Sequence, residues 1–160
     1  MATIFLMSIR PQYVRPIFAR VKKYELRKLS GAPRIEEGDV VIVYASGNLK
    51  SIVGEFTAGR VIEDLPEKVW ALVHRPGTGV SRESWNYIRG ARRAMAIEVR
   101  DPVPYPRPIT LDEVRRIIPG WLPPFSYREL YTGDPFYELI LRPVRGAIYK
   151  KLREPGRSTG

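Results

Sequence analysis

Residues 4–9 read Ile-Phe-Leu-Met-Ser-Ile and are closed off by Arg10-Pro11. An apolar run of that length is far short of the roughly 20 residues a membrane span needs, and it suits a strand buried on both faces. A strand of this kind needs covering layers on either side, so the rest of the chain must supply a sheet and the elements that flank it. A second such run, Val40–Tyr44, follows the turn Glu37-Gly38-Asp39 and is largely β-branched. Tyr24–Leu29 alternates loosely and reads as a half-exposed strand. Ser51–Ile62 reads as a long strand with bulges or bends at Gly54 and Gly59, and Ala94–Val99 as another strand.

Between these strands the signals are helical but short. Pro11 can open a helix that carries Tyr13, Val14, Ile17 and Phe18 on one face, and Pro16 should shorten it. Pro66–His74 is helical. Ser81 is placed to cap a helix running to about Arg89 and ended by Gly90. Thr110-Leu-Asp-Glu113 is a capping box opening a helix to about Ile118. Asp134-Pro135 reads as the start of a C-terminal helical segment that Pro143 breaks. Residues 101–109 hold four prolines and are expected to leave the sheet and wrap the surface. Pro119–Phe125 is an aromatic, proline-rich loop in which Trp121 is the expected exposed ring. The reading is an α+β fold of about five to six strands with short peripheral helices, in one domain over 1–153 with a flexible tail over 154–160.

Chemistry is narrowed by what the chain lacks. With no cysteine there is no disulfide, thiolate zinc site or cysteine nucleophile. One histidine, His74, is a poor basis for a metal site or a Ser-His-Asp triad, and at the end of a helix it reads as a complement to the helix dipole. No metal or cofactor is expected. Nothing resembles a signal peptide or a membrane span, which points to the cytoplasm. Arginine-rich, proline-rich and amide-poor composition suits a hot-living source.

What the chain has is positive charge: 27 Lys and Arg against 17 Asp and Glu, a formal net of +10. Residues 1–35 carry eight cations and one acid, and residues 142–160 six and one, whereas 36–81 are net acidic. Such asymmetry points to a polyanionic partner, RNA or a nucleotide-like anion.

Within that basic N-terminal stretch lies Lys22-Lys-Tyr-Glu25-Leu-Arg27, after a strand and a short helix. It resembles the Gly-x-Lys-x-x-Glu-x-Arg pattern of the ASCH family in the PUA-like superfamily. The surrounding order is similar too, with Ser8-Ile-Arg-Pro11, Glu37-Gly-Asp39, Tyr44-Ala-Ser46, Ile52-Val-Gly-Glu-Phe56 and Ala94–Val99. Pro123-Pro-Phe-Ser-Tyr127 resembles a Pro-Pro-Gln-Ser-Phe segment of archaeal members. The resemblance, over about residues 3–130, implies a PUA-like β-pseudo-barrel. It also implies a cleft that binds RNA, or in some members hydrolyses modified nucleosides or RNA. Two departures stand out. The family glycine falls on Arg20, and the amidohydrolase-like members have a threonine where Glu25 stands and a carboxylate that the loop Arg75-Pro-Gly-Thr-Gly79 lacks.

Glu25 and Arg27, two apart on a strand, share one face, and Lys22 stands at its start. The cations can hold a phosphate while Glu25 accepts from a base or sugar. If the protein is an enzyme, Lys22 and Glu25 are its catalytic candidates. Arg10, Arg20 and Lys23, with Arg15, make a phosphate-facing patch around the first helix. Tyr44, Ser46, Ser126 and Tyr127 complete the candidate ligand-binding set, the tyrosines as stacking surfaces. Glu55 and Glu98, acids in apolar strands, are expected to point outward or pair with arginine. A protein-interaction module covering Trp121–Phe125 is the remaining alternative.

Overall fold

The computed structural model describes residues 2–29, 31 and 33–153. The expected flexible tail, 154–160, lies outside the described residues. Six strands form one sheet: β1 (Ile4–Ile9), β2 (Tyr24–Lys28), β3 (Val40–Ala45), β4 (Ser51–Asp64), β5 (Ala94–Thr110) and β6 (Tyr127–Leu130). Their order is β2-β5-β4-β3-β1-β6, with β1 parallel to β3 and every other pair antiparallel. The sheet curls into a half-barrel, so that Arg27 on edge strand β2 donates to the Ser8 carbonyl on β1 at 3.2 Å. Around it lie α1 (Pro11–Phe18), α2 (Pro66–Val73), α3 (Arg82–Ile88), α4 (Leu111–Ile117) and α5 (Arg142–Arg153). Among the described residues, no helix is long and apolar enough to cross a membrane.

β1 is buried on both faces, as its composition demands. Phe5 and Met7 join Val41, Val43, Phe56 and Ile97 in a core that α1 closes with Val14 and Ile17. Leu6 faces the other way, with Ile42 and Ile52, into a core capped by α4 and the C-terminal segment. A third cluster seats α2 and α3 on Leu26, Ala94 and Ala96. That third cluster corrects the half-exposed reading of β2. Leu26 is covered by the two helices, and Glu25 and Arg27 are buried on the opposite face.

Three further expectations are corrected. Residues 101–109 do not leave the sheet, because β5 continues through them and pairs with β4, Val103 opposite Glu55 and Pro104 opposite Gly54. The four prolines fall on alternate positions and strip donors from one edge only, while β2 pairing ends at Glu98, so this part of β5 needs donors on one side alone. Pro143 does not break the C-terminal helix. A π-helical stretch, Tyr137–Leu141, precedes it and re-phases the carbonyls its ring meets, so α5 runs on to Arg153. Trp121 is not exposed, since it stacks on Phe136 at 4.5 Å and is 8% accessible. The exposed ring of that loop is Phe125.

Other signals match the local structure. Thr110 accepts from the Glu113 N–H at 3.1 Å and caps α4, whereas Ser81 stands before α3 without a side-chain cap. The strand glycines coincide with register shifts in β4, and His74 ends α2 stacked on Trp70. Pro16 sits inside α1, which stops two residues later, and Val21 and Lys22 both donate back to its carbonyl. The reversal passes through Arg20 at φ +62°. That conformation costs a non-glycine residue about 1–2 kcal/mol, partly offset because glycine loosens the unfolded chain. Arg20→Gly is therefore expected to stabilise by about 0.5–1 kcal/mol, read as a higher Tm; a lower Tm would refute the strain.

Candidate functional site

A cavity of about 580 Å³ opens where the ends of β1 and β3, the strand β2, α1, α3 and the loop over 123–126 converge. β2 contributes Glu25, Leu26 and Arg27, with Lys22 just before it, because curling the sheet turns the Glu25–Arg27 face inward. β1 contributes Ser8 and Ile9, followed by Arg10, and β3 contributes Tyr44, followed by Ser46. Tyr13 enters from α1, Ser84 and Tyr87 from α3, and Pro123 to Ser126 from the loop.

The polar floor is nearly dry. Lys22, Glu25 and Arg27 are 4%, 5% and 9% accessible. The Lys22 ammonium lies 3.5 Å from Glu25 Oε1 and 4.6 Å above the centre of the Tyr13 ring. Arg27 uses one terminal nitrogen on the Ser8 carbonyl and the other on Ser126 Oγ, at 2.8 Å for the latter. Ser8 Oγ donates to the Pro124 carbonyl and Ser46 Oγ to that of Ile9. Among the described residues, Glu25 Oε2 and Arg27 Nε have no hydrogen-bond partner. A buried acceptor and a buried donor left unpaired in one cavity wall cost stability.

Two of the three cavity tyrosines, Tyr13 and Tyr44, are held as phenols. Burial pushes the Tyr13 hydroxyl above its ordinary pKa, helped by Glu83, to which it donates at 3.2 Å. Burial likewise raises Tyr44, with Arg115 opposing. Tyr44 also packs edge-on against Trp121. The site thus offers cations, one carboxylate and neutral hydroxyls.

Of the residues singled out from the sequence, Arg10, Lys22, Glu25, Arg27, Tyr44, Ser46 and Ser126 line this one cavity. Tyr127 does not. Its ring joins the core against Phe5 and its hydroxyl donates to the Pro33 carbonyl, because β6 pairing turns it inward. Arg20 and Lys23 are exposed outside the cavity, the Lys23 ammonium on the Arg20 carbonyl at 2.7 Å. Glu55 pairs with Arg145 and Glu98 with Arg100. Ser8, Tyr13, Ser84, Tyr87 and Phe125 belong to the site without having been singled out. Ser8 and Phe125 sit inside the two segments, Ser8–Pro11 and Pro123–Tyr127, that carried the family resemblance, which was the available signal. Among the described residues, no cluster of three or more His, Asp or Glu side chains is arranged to hold a metal ion.

No family model matches the chain. An ASCH domain-containing ribonuclease of Zymomonas mobilis is 25% identical over 121 residues, covering 76% of this chain and 80% of that protein. The crystal structure of ASCH from Zymomonas mobilis matches with a TM-score of 0.69 at 23% identity, over 85% of this chain and 93% of that one. A structure of a serine-to-alanine variant of the same protein matches at 0.72, again at 23% identity, over 86% and 95%. The fold is therefore the α+β half-barrel of those ASCH structures. Sequence and structural neighbours together point to an ASCH domain.

Proposed function

We propose that this protein binds RNA, through its phosphates, in the cavity beside β2. The observation that carries the reading is the convergence of Arg10, Lys22 and Arg27 on a cavity holding a single carboxylate, Glu25, with Lys22 and Arg27 already desolvated. A cation out of water attracts a phosphate oxygen more strongly than a solvated one does. The net charge of +10 and the ribonuclease name of the Zymomonas relative support the same reading.

The relative's name also favours a second reading, cleavage of the bound RNA. In it Lys22 and Arg27 face the charge that develops on the phosphorus oxygens. Glu25 takes the proton of the attacking ribose hydroxyl as that oxygen bonds to phosphorus, and the Lys22 ammonium gives a proton to the ribose oxygen that leaves as the original P–O bond breaks. The amidohydrolase alternative lacks its threonine and its loop carboxylate here, as the sequence already indicated.

The test is binding of a labelled single-stranded RNA at two salt concentrations, with the RNA then run on a denaturing gel. Affinity is expected to fall with salt, and Arg10→Ala, an exposed and structurally harmless change, to reduce the salt slope by about one. Lys22→Ala/Arg27→Ala should weaken binding by more than about tenfold. Salt-independent binding, or a double variant that binds like the parent, would end the binding reading. Shortening of the RNA that disappears in Glu25→Gln supports cleavage; intact RNA throughout refutes it.

A further inference from the structure

Phe125 is fully exposed, at 106% relative accessibility, and no other large apolar side chain among the described residues is as open. It is not on a loose loop. Pro124 accepts from Ser8 Oγ at 2.7 Å, Ser126 accepts from the Ser8 N–H at 2.9 Å, and Arg27 holds Ser126 Oγ. Two prolines before it fix the backbone further. The residues on either side of Phe125 are thus pinned to β1, and the ring is presented outward by a rigid frame. Tyr87, 43% accessible, reaches the same cavity from α3, on the β2 side, with the Lys28 ammonium 5.0 Å from its ring centre. The cavity lining therefore combines two exposed aromatic rings with the cations Arg10, Lys22 and Arg27.

Resting on the RNA-binding reading, we propose that Phe125 is the stacking platform for an unpaired nucleobase, with Tyr87 as the second aromatic wall. The occupant follows from complementarity. A base has a flat π-face to cover the phenyl ring, and the phosphate attached to it matches Arg10 and Arg27 in the same cavity. A base paired in a duplex has both faces covered by its neighbours, so the platform selects an unpaired or extruded nucleotide. Because the backbone on either side of the ring is already held, little loop entropy is lost on binding.

The experiment compares the parent with Phe125→Ala and Phe125→Trp on a short single-stranded RNA and on the same RNA with one abasic position. Removing the ring should weaken RNA binding by about 5- to 150-fold, the range for losing one base stack, without changing the salt slope. Phe125→Trp should restore binding, and its emission should be quenched when RNA is added. The abasic RNA should bind the parent more weakly, and lose less from Phe125→Ala than the intact RNA does. Salt-sensitive binding with an unchanged Phe125→Ala affinity overturns this inference and leaves the RNA reading intact. A parent that binds no RNA overturns both. If Phe125→Ala instead shifts the sedimentation of the protein alone from a dimer to a monomer, the ring serves a second copy of the chain and the inference falls.

Discussion

Arg145→Met is expected to destabilise the protein by about 3–5 kcal/mol, read as a lower urea midpoint with unchanged slope. Glu55, on β4 and 3% accessible, sits between two layers of the fold. Arg145 of α5 meets it with two nitrogens, at 2.9 and 3.2 Å, and Tyr105 and Tyr149 donate to it at 2.8 and 2.6 Å. Arg145 also donates to the Tyr137 hydroxyl at 3.0 Å. Methionine fills much of the volume of the arginine stem but leaves a carboxylate in the core without its cation. That loss, more than the absence of the attraction itself, is the source of the penalty. Glu55→Met/Arg145→Met removes both charges and should recover most of the stability; a single variant within 1 kcal/mol of the parent would show that the pair is not desolvated as the geometry requires.

The same network fixes a pH limit. Burial, then Glu55, raises the Tyr105 hydroxyl well above its ordinary value, and burial with Glu55 raises Tyr149. A group whose folded pKa lies above its unfolded value lends stability that is complete below the unfolded value, near 10 for tyrosine, and lost as pH climbs through the folded one. Loss of stability should thus begin around pH 10 and deepen above it, while the acid side is untouched by these two residues.

How much of this could be read from the chain depends on whether a signal is local. The two-faced burial of β1, the capping box at Thr110 and the stop at Pro16 are local, and each lies where the sequence placed it. The path of 101–109 could not be read locally. Four prolines exclude a strand with neighbours on both sides, and only the sheet order shows that β2 has ended before they begin. β6 is four residues long and is a strand because β1 offers it an edge. In the site, the inward face of Glu25 and Arg27 follows from a period of two, but the cavity above them needs the curl that joins β2 to β1. Tyr127 shows the converse. Its neighbour Ser126 faces the cavity, so Tyr127 on the alternate side goes to the core, and composition alone does not fix that register.

The loop Arg75-Pro-Gly-Thr-Gly79 carries no carboxylate, yet Gly79→Ala is expected to be among the most damaging small changes in the chain. Pro76-Gly77 turns the loop, Thr78 bonding back to the Arg75 carbonyl, and the Lys23 N–H then donates to the Thr78 carbonyl at 2.7 Å. Gly79 follows at φ +67°, against the backbone that leads into β2, and a Cβ there would collide with the Val21 carbonyl and press on Lys22. Strain of about 1–2 kcal/mol adds to an overpacking cost of about 1–3, so a loss near 3 kcal/mol is expected. Gly77→Ala is the control. It has φ +87° but open space around the added carbon, so it should cost only the strain. The segment displaced by Gly79→Ala carries Lys22, so on the proposed RNA-binding reading affinity for RNA should fall in the Gly79 variant, under conditions where it remains folded, and hold in the Gly77 variant. Equal effects of the two substitutions on stability would show that backbone strain alone, not the close approach of the loop to Lys22, makes Gly79 necessary.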